Sequence, residues 1–496
     1  MSRRSRYTGV TIATVSALLL AGSAMAQPAA DIPSDEPSIT TPIGSSEAVV
    51  HFFQWPWESI GRECTDTLGP AGFGAVEVSA PQEHVVLPEQ GYPWWQDYQP
   101  VSYQLDSRRG DRDAFADMVA ACDAAGVEVY IDAVINHMTG LGSRSTGSGG
   151  NTFDHYEYPA VPYGYNDFHH CGRHGDDDIR DWADRWEVQN CELLNLADLA
   201  TENDYVRGRL TAYLQDLLNL GVDGFRIDAA KHMPAEDIAA ILAGLDGSPK
   251  VFLEVIEGGP GEISPTEYTG LGRVTEFRYG YEVGARFADG NLGALQNLES
   301  HLLLESADAM TFIDNHDTQR NGQAPLTYRD GARYRMAQAF NLAHAYGAPH
   351  LLTGFTFDDH DQGPPADSTG MTLSAVDEAG NCLSGWDCVH RERTVLNMVA
   401  FRSAVGDAPM TDWWGDGSQI GFGRGDRGYA AFNATDGELS REFTTGLPPG
   451  VYCDVANGDY LNGRCTGPTY EVDDSGTLTA TVPPNGVLAV HVGAKI

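Results

Sequence analysis

The sequence predicts an α/β protein: a (β/α)8 TIM barrel with a lobe inserted after strand three and a C-terminal antiparallel β domain. Three observations carry this expectation. Short β-rich runs alternate with longer amphipathic stretches, eight such runs occur, and after about residue 408 the helical period gives way to short alternating runs. Eight parallel strands with crossover helices are what closes a barrel.

The elements follow in chain order. Arg3, Arg4 and Arg6 precede an uncharged run that ends in Ala24-Met25-Ala26, which reads as a signal peptide over residues 1–26. Its strictly apolar part is shorter than the ~20 residues a membrane span needs. Residues 27–44, rich in Pro, Ala, Ser and acids without a period, are expected to be a disordered lead-in. The barrel is expected over 45–135 and 200–408, with strands at Ala48–Gln54, Gly74–Ser79, Val127–Ile135, Val222–Asp228, Val251–Val255, Arg273–Phe277, Ala309–Asp314 and His350–Phe355. Helical patterns lie between them, such as Arg112–Ala125, Tyr205–Leu220, Pro234–Leu245 and Gly331–Tyr346. Residues 136–199, with a Gly/Ser-rich stretch and two cysteines, are too long for a plain loop and read as the inserted lobe. Residues 409–496 read as a β sandwich.

Composition limits the partners. The formal charge is −39, and removing the three leader arginines leaves −42, so nucleic acid and anionic membranes are excluded as partners. Such a surface fits adaptation to salt as well as an ordinary acidic extracellular protein. A hydrophobic content of 42% supports a globular body, and eight cysteines in an exported chain read as disulfides, for which 105 pairings exist.

In a closed parallel barrel, reacting groups gather where the strands end. Four of the expected strands end in ionisable residues: Asp132 to Asn136-His137, Arg226 to Asp228, Glu254, and Asp314-Asn315-His316-Asp317. Any one acid could simply cap a helix. Together they suit glycosidic cleavage, which needs one acid to protonate the leaving oxygen and another to attack the sugar. Arg226, two residues before Asp228 and on the same strand face, is expected to keep that carboxylate ionised. Glu254, among Val251, Phe252, Leu253, Val255 and Ile256, is expected in the apolar surroundings that favour a protonated general acid. Trp94, Trp95, Tyr98 and Gln99 follow strand two at the same rim and can supply flat sugar-binding faces.

These segments resemble the four signature regions of the α-amylase family: Asp132-Ala-Val-Ile-Asn136-His137, Gly224-Phe-Arg226-Ile-Asp228-Ala-Ala-Lys231-His232, Glu254-Val-Ile and Phe312-Ile-Asp314-Asn315-His316-Asp317. The likeness is strongest to the animal and related bacterial branch and extends to Pro93–Tyr103, Gly272–Phe277 and Thr445–Val455. It implies an enzyme that cleaves α-1,4 bonds inside starch, glycogen and maltooligosaccharides with retention of anomeric configuration; the leader makes it a secreted, extracellular one, for which a monomer is the default expectation. By resemblance Asp228 is the nucleophile, Glu254 the general acid/base and Asp317 the acid that orients the sugar. His137, Arg226, Lys231 and His316 join the aromatic residues as substrate contacts. A structural calcium would take Asn136, Asp198 and the carbonyls of Gln189 and His232, hard oxygen donors of the kind that ion accepts. A chloride would lie between Arg226, Asn315 and His350, but an imidazole loses its charge near neutral pH, so binding is expected to be weak or pH-dependent. The resemblance also implies disulfides Cys64–Cys122, Cys171–Cys191, Cys382–Cys388 and Cys453–Cys465. A transglycosylase on the same fold and a catalytically silent glucan-binding protein are the alternatives. The sequence does not determine the product pattern.

Overall fold

The computed structural model describes residues 46–496 apart from 142–143 and 259–262. The expected signal peptide and the whole of the expected lead-in lie outside the described residues. Each of the eight expected runs forms a strand: β1 Val49–Phe52, β2 Ala75–Val78, β3 Glu128–Ala133, β4 Gly224–Ile227, β5 Lys250–Leu253, β6 Arg273–Thr275, β7 Ala309–Thr311 and β8 Ala348–Thr353. They pair in parallel and close in the order β1-β8-β7-β6-β5-β4-β3-β2. β1, β2, β4 and β8 are buried along their whole length, as strands covered on both faces must be.

Two of the barrel helices start at a side-chain cap and bury an apolar stripe. Arg112–Ala124 starts at Asp111, whose carboxylate accepts the Ala114 N–H at 3.0 Å, and it buries Phe115, Met118, Val119 and Cys122 on one face. Asp204–Asn219 starts at Asn203 and buries Val206, Leu210, Tyr213, Leu214 and Leu217 at the same spacing. Among the described residues no helix is long and apolar enough to cross a membrane.

The segment 136–199 holds short helices and a two-stranded sheet, Ser145–Thr146 against Thr152–Phe153. Buried Glu83 ties it to the barrel by accepting from Ser102 Oγ (2.5 Å), Asn151 N (3.0 Å) and Asn151 Nδ2 (2.7 Å). Beyond residue 409, two four-stranded antiparallel sheets enclose Tyr429, Phe443, Tyr452, Leu478 and Leu488. Arg424, buried in the first of these sheets, caps two helix ends at once by donating to the carbonyls of Ala343 (2.7 Å), Gly406 (2.6 Å) and Ala408 (2.7 Å). All four disulfides pair as the resemblance implies.

Candidate active site

The in-register pairing of β3 and β4 sets Asp132 beside Arg226. The guanidinium then collects three carboxylates. Arg226 Nη1 donates to Asp132 Oδ1 (2.5 Å) and to Asp228 Oδ1 (2.6 Å), and Nη2 lies 2.8 Å from Glu254 Oε1. This last contact is too bent for a hydrogen bond, so Oε1 is buried without a donor. Glu254 Oε2 accepts the N–H of Ala229 at 3.1 Å. To present that N–H, Ala229 takes φ +48°, a left-handed backbone that costs a residue with a Cβ about 1–2 kcal/mol.

The expected Arg226–Asp228 contact is present, but its consequence is not the expected one. Burial, with the neighbouring charges of Asp132 and Glu254, outweighs the guanidinium and pushes the Asp228 carboxyl well above the usual carboxylate range. One cation cannot neutralise three buried anions. Asp132 is pushed up to about 6 by burial and by the charge of Glu77, against Arg226 and the Tyr98 hydroxyl. Glu254 is not in the expected apolar pocket either. Its polar partners, a guanidinium and a backbone N–H, come from β4 and the turn after it.

Asp317 stands at the start of a one-turn helix, Thr318–Asn321, with its side chain 37% exposed to the cleft and His316 Nε2 3.5 Å from Oδ2. Burial of its surroundings and the charge of Glu254 push it up to about 7, opposed by Arg226 and Arg320. Arg320 is held behind it, with its guanidinium 4.1 Å from the Phe357 ring centre and also over Phe53, Trp94 and Phe355, donating to the His316 carbonyl at 2.9 Å. Asp314, the other acid of that motif, points away from the cleft and accepts from Tyr334 Oη at 2.7 Å.

The aromatic rim is layered. Phe53, His316 and Tyr98 stack with centroids 4.7 and 5.2 Å apart, and Trp94 meets His316 edge-on at 5.7 Å. Tyr98 Oη donates to Asp132 Oδ2 at 2.7 Å, which fixes the ring over the acids. Trp95 is half-buried beside it, and buried Gln99 accepts the Gly140 N–H at 3.0 Å. His137 donates from Nε2 to the Tyr98 carbonyl at 3.0 Å and is driven down to about 4 by burial, so it stands neutral at the rim. Lys231 is buried in the turn after β4.

The calcium candidates are brought together in pairs. Asn136 Nδ2 donates to Asp198 Oδ1 at 3.3 Å across antiparallel backbone, with the Leu199 N–H on the Asn136 carbonyl. His232 Nδ1 donates to the Val188 carbonyl at 3.0 Å, next to Gln189. Tyr268 Oη links the same stretches by accepting from Gln189 Nε2 (3.3 Å) and donating to the Met233 carbonyl (2.8 Å). His169, which sequence reasoning missed, lies with Nδ1 2.6 Å from Asp198 Oδ2.

The chloride candidates are each engaged. Asn315 Oδ1 accepts from the N–H groups of Asp317 (3.1 Å) and Thr318 (2.8 Å), and His350 Nε2 lies 2.6 Å from Glu77 Oε2. Glu77 and His51, also missed, sit under the site. The signal for both was a polar residue in an otherwise apolar strand.

Comparison with known proteins places this arrangement. Residues 79–241 match the α-amylase catalytic domain and residues 413–493 the α-amylase C-terminal all-beta domain. An α-amylase of Thermomonospora curvata is 50% identical over 471 residues, covering 92% of this chain and 75% of that protein. One from Tribolium castaneum is 46% identical over 468 residues, covering 90% and 94%. Among solved structures, α-amylase I of Eisenia fetida, determined as a variant in complex with maltohexaose, superposes with a TM-score of 0.84 at 37% identity, covering 92% of this chain and 99% of that one. With these relatives matched along nearly its whole described length, the chain belongs to the α-amylase family of glycoside hydrolases.

Proposed function

We propose that this chain is a secreted, endo-acting α-amylase that hydrolyses α-1,4-glucosidic bonds of starch, glycogen and maltooligosaccharides with retention, using Asp228, Glu254 and Asp317. The observation that carries the assignment is the single guanidinium of Arg226 held between Asp228 and Glu254 at the barrel mouth. The set holds more acid than one cation can balance, so a proton stays among the carboxylates near neutral pH. The reactive arrangement is the one in which Glu254 carries that shared proton while Asp228 is ionised against Arg226.

In the first step an Asp228 oxygen bonds to the anomeric carbon, the glycosidic C–O bond breaks, and the Glu254 proton passes to the leaving oxygen. In the second, Glu254 takes a proton from water, whose oxygen displaces Asp228 from the sugar. Two displacements restore the starting anomer. Asp317, open to the cleft, accepts from sugar hydroxyls, while Trp94, Trp95, Tyr98, Gln99, His137, Lys231 and His316 line the glucan path. Asp228→Asn, Glu254→Gln and Asp317→Asn should each lower kcat by about 10³-fold or more with the fold intact. Undiminished hydrolysis by Glu254→Gln, or inverted product at early times, would overturn this mechanism.

The donor set at the junction of lobe and barrel fits calcium. Asn136 offers a carboxamide oxygen and Asp198 a buried carboxylate that burial pushes up to about 6, with the carbonyls of Gln189 and His232 alongside. His169, raised to about 9 by Asp198 and Glu202, already sets one positive charge beside that carboxylate, and a bound divalent ion would add to it and fasten the lobe beside the cleft. Chelation should lower the melting temperature by several degrees, and an unchanged melt would remove the site. Chloride binding is weak in this reading, because His350 is engaged by a carboxylate. Strong activation by chloride at alkaline pH after dialysis into halide-free buffer would refute it. The four disulfides suit an extracellular location, and a monomer is proposed as the working form.

A further inference from the structure

One buried carboxylate inside the barrel has no part in the steps above. Glu77, on β2, is 1% exposed, with His350 Nε2 of β8 2.6 Å from Oε2 and His51 Nδ1 of β1 3.3 Å from Oε1. Its register partner is Tyr130, two residues before Asp132, so it stands one layer beneath the acids. The groups that face it come from every side: His51, Asp132, Arg226 and His350, with His316 of the segment after β7 set against His51 at 5.7 Å.

Two imidazoles and a carboxylate are also a common metal-ligand set. Tetrahedral zinc, however, keeps its nitrogen and oxygen ligands ~3.3 Å apart, following from metal–ligand bonds of ~2.0 Å. The 2.6 Å between His350 and Glu77 is a direct hydrogen bond that leaves no room for an ion between them.

We propose that Glu77 is a positioning residue: a fixed negative charge one layer beneath Arg226 that holds protons on the carboxylate set above, thereby setting the pH range of hydrolysis. The physical chain is short. Glu77 feels the charge of the same guanidinium that pairs with Asp132, Asp228 and Glu254, without touching it, and its own charge raises the proton affinity of Asp132. The hydrogen bond from His350, with the charge of Arg226 and with His51 alongside, holds it at about 2 despite complete burial, while burial drives His51 itself down to about 4. A mobile ion could supply the same field only when bound, whereas a covalently fixed carboxylate supplies it at every salt concentration. This rests on the assignment of the three acids given above.

Glu77→Gln isolates the charge. The amide keeps the shape, its oxygen can accept from His350 Nε2–H and its NH2 can donate to His51 Nδ1. Both limbs of the pH–activity profile should move to lower pH by about one unit, while activity persists with a displaced maximum. Glu77→Asp, which retains the charge, should stay within about 0.3 unit of the parent. Loss of activity at all pH values with unmoved limbs would mean a merely structural role and overturn the proposal. If Glu77→Gln does not fold, Glu77→Asp carries the test, and a shift of a full unit in that variant would overturn it. A divalent transition metal retained stoichiometrically by the parent and lost from His350→Gln would also overturn it. Failure of the acid assignment looks different, because it leaves Glu254→Gln active.

Discussion

At the mouth of the barrel one guanidinium, Arg226, faces three carboxylates, whereas one layer below a single carboxylate, Glu77, faces two imidazoles. Both layers are buried, and burial alone pushes every carboxyl toward the neutral form. The lower layer has enough donors to overcome that and keeps its acid ionised, at about 2. The upper layer does not, and Asp132 and Asp317 are pushed up to about 6 and about 7. Proton-holding capacity near neutral pH therefore comes from a shortage of cations, confined to the layer that substrate reaches.

Changing Arg226 should have the largest effect, since it removes the cation that both layers share. Arg226→Gln leaves buried acids unpaired, a loss of about 3–5 kcal/mol. It should lower the melting temperature by many degrees and kcat/KM by more than about 100-fold, checked by calorimetry and by kinetics on maltooligosaccharides.

A smaller change separates the layers by their opposite pH dependence. Glu77 has a depressed pKa in the fold, so its contribution is present above about 4.5 and lost as pH falls through about 2. Asp317 has a raised one, so the folded state holds its proton more tightly than the unfolded chain, and stability falls as pH rises from about 4 to about 7. Asp317→Asn should therefore raise the melting temperature at pH 8 by a few degrees and leave it nearly unchanged at pH 4. A uniform gain at both pH values would show that the effect is not protonic.

The smallest expected effect is at Tyr98. Tyr98→Phe keeps the stacked ring but removes the hydrogen bond to Asp132 Oδ2, and kcat should fall by about 3- to 10-fold with little change in KM. A large rise in KM would mean instead that the hydroxyl touches sugar.

The eight strands and the acids of the mouth were legible in the sequence because periodicity and strand ends are local properties. The electrostatics were not. Arg226 two residues before Asp228 correctly placed a cation beside the acid, but the sign of the result depended on how many other carboxylates shared it, and those come from β3 and from the residue after β5. Glu254 was misread for the same reason: its partners lie on the neighbouring strand, whereas the apolar residues adjacent in sequence alternate to other faces. Glu77 and His51 were passed over because a lone polar residue in a short apolar strand is ordinarily read as lying on a solvent face. In a closed barrel that face is the interior. Arg320 shows the same limit, since its four rings come from the segment after β1, the rim after β2 and the segment after β8.

The hydrogen bond between His350 and Glu77 joins residues 273 positions apart and lies on the seam where β8 closes against β1. During synthesis β1 to β7 emerge before β8, and until the eighth strand arrives the carboxylate of Glu77 lacks its tighter partner. The half-made barrel thus holds an acid without its full set of donors at its open edge, which weakens any premature closure lacking His350. Completion of the seam and completion of the charge layer under the active site are therefore made by the same strand, the last of the barrel to be synthesised.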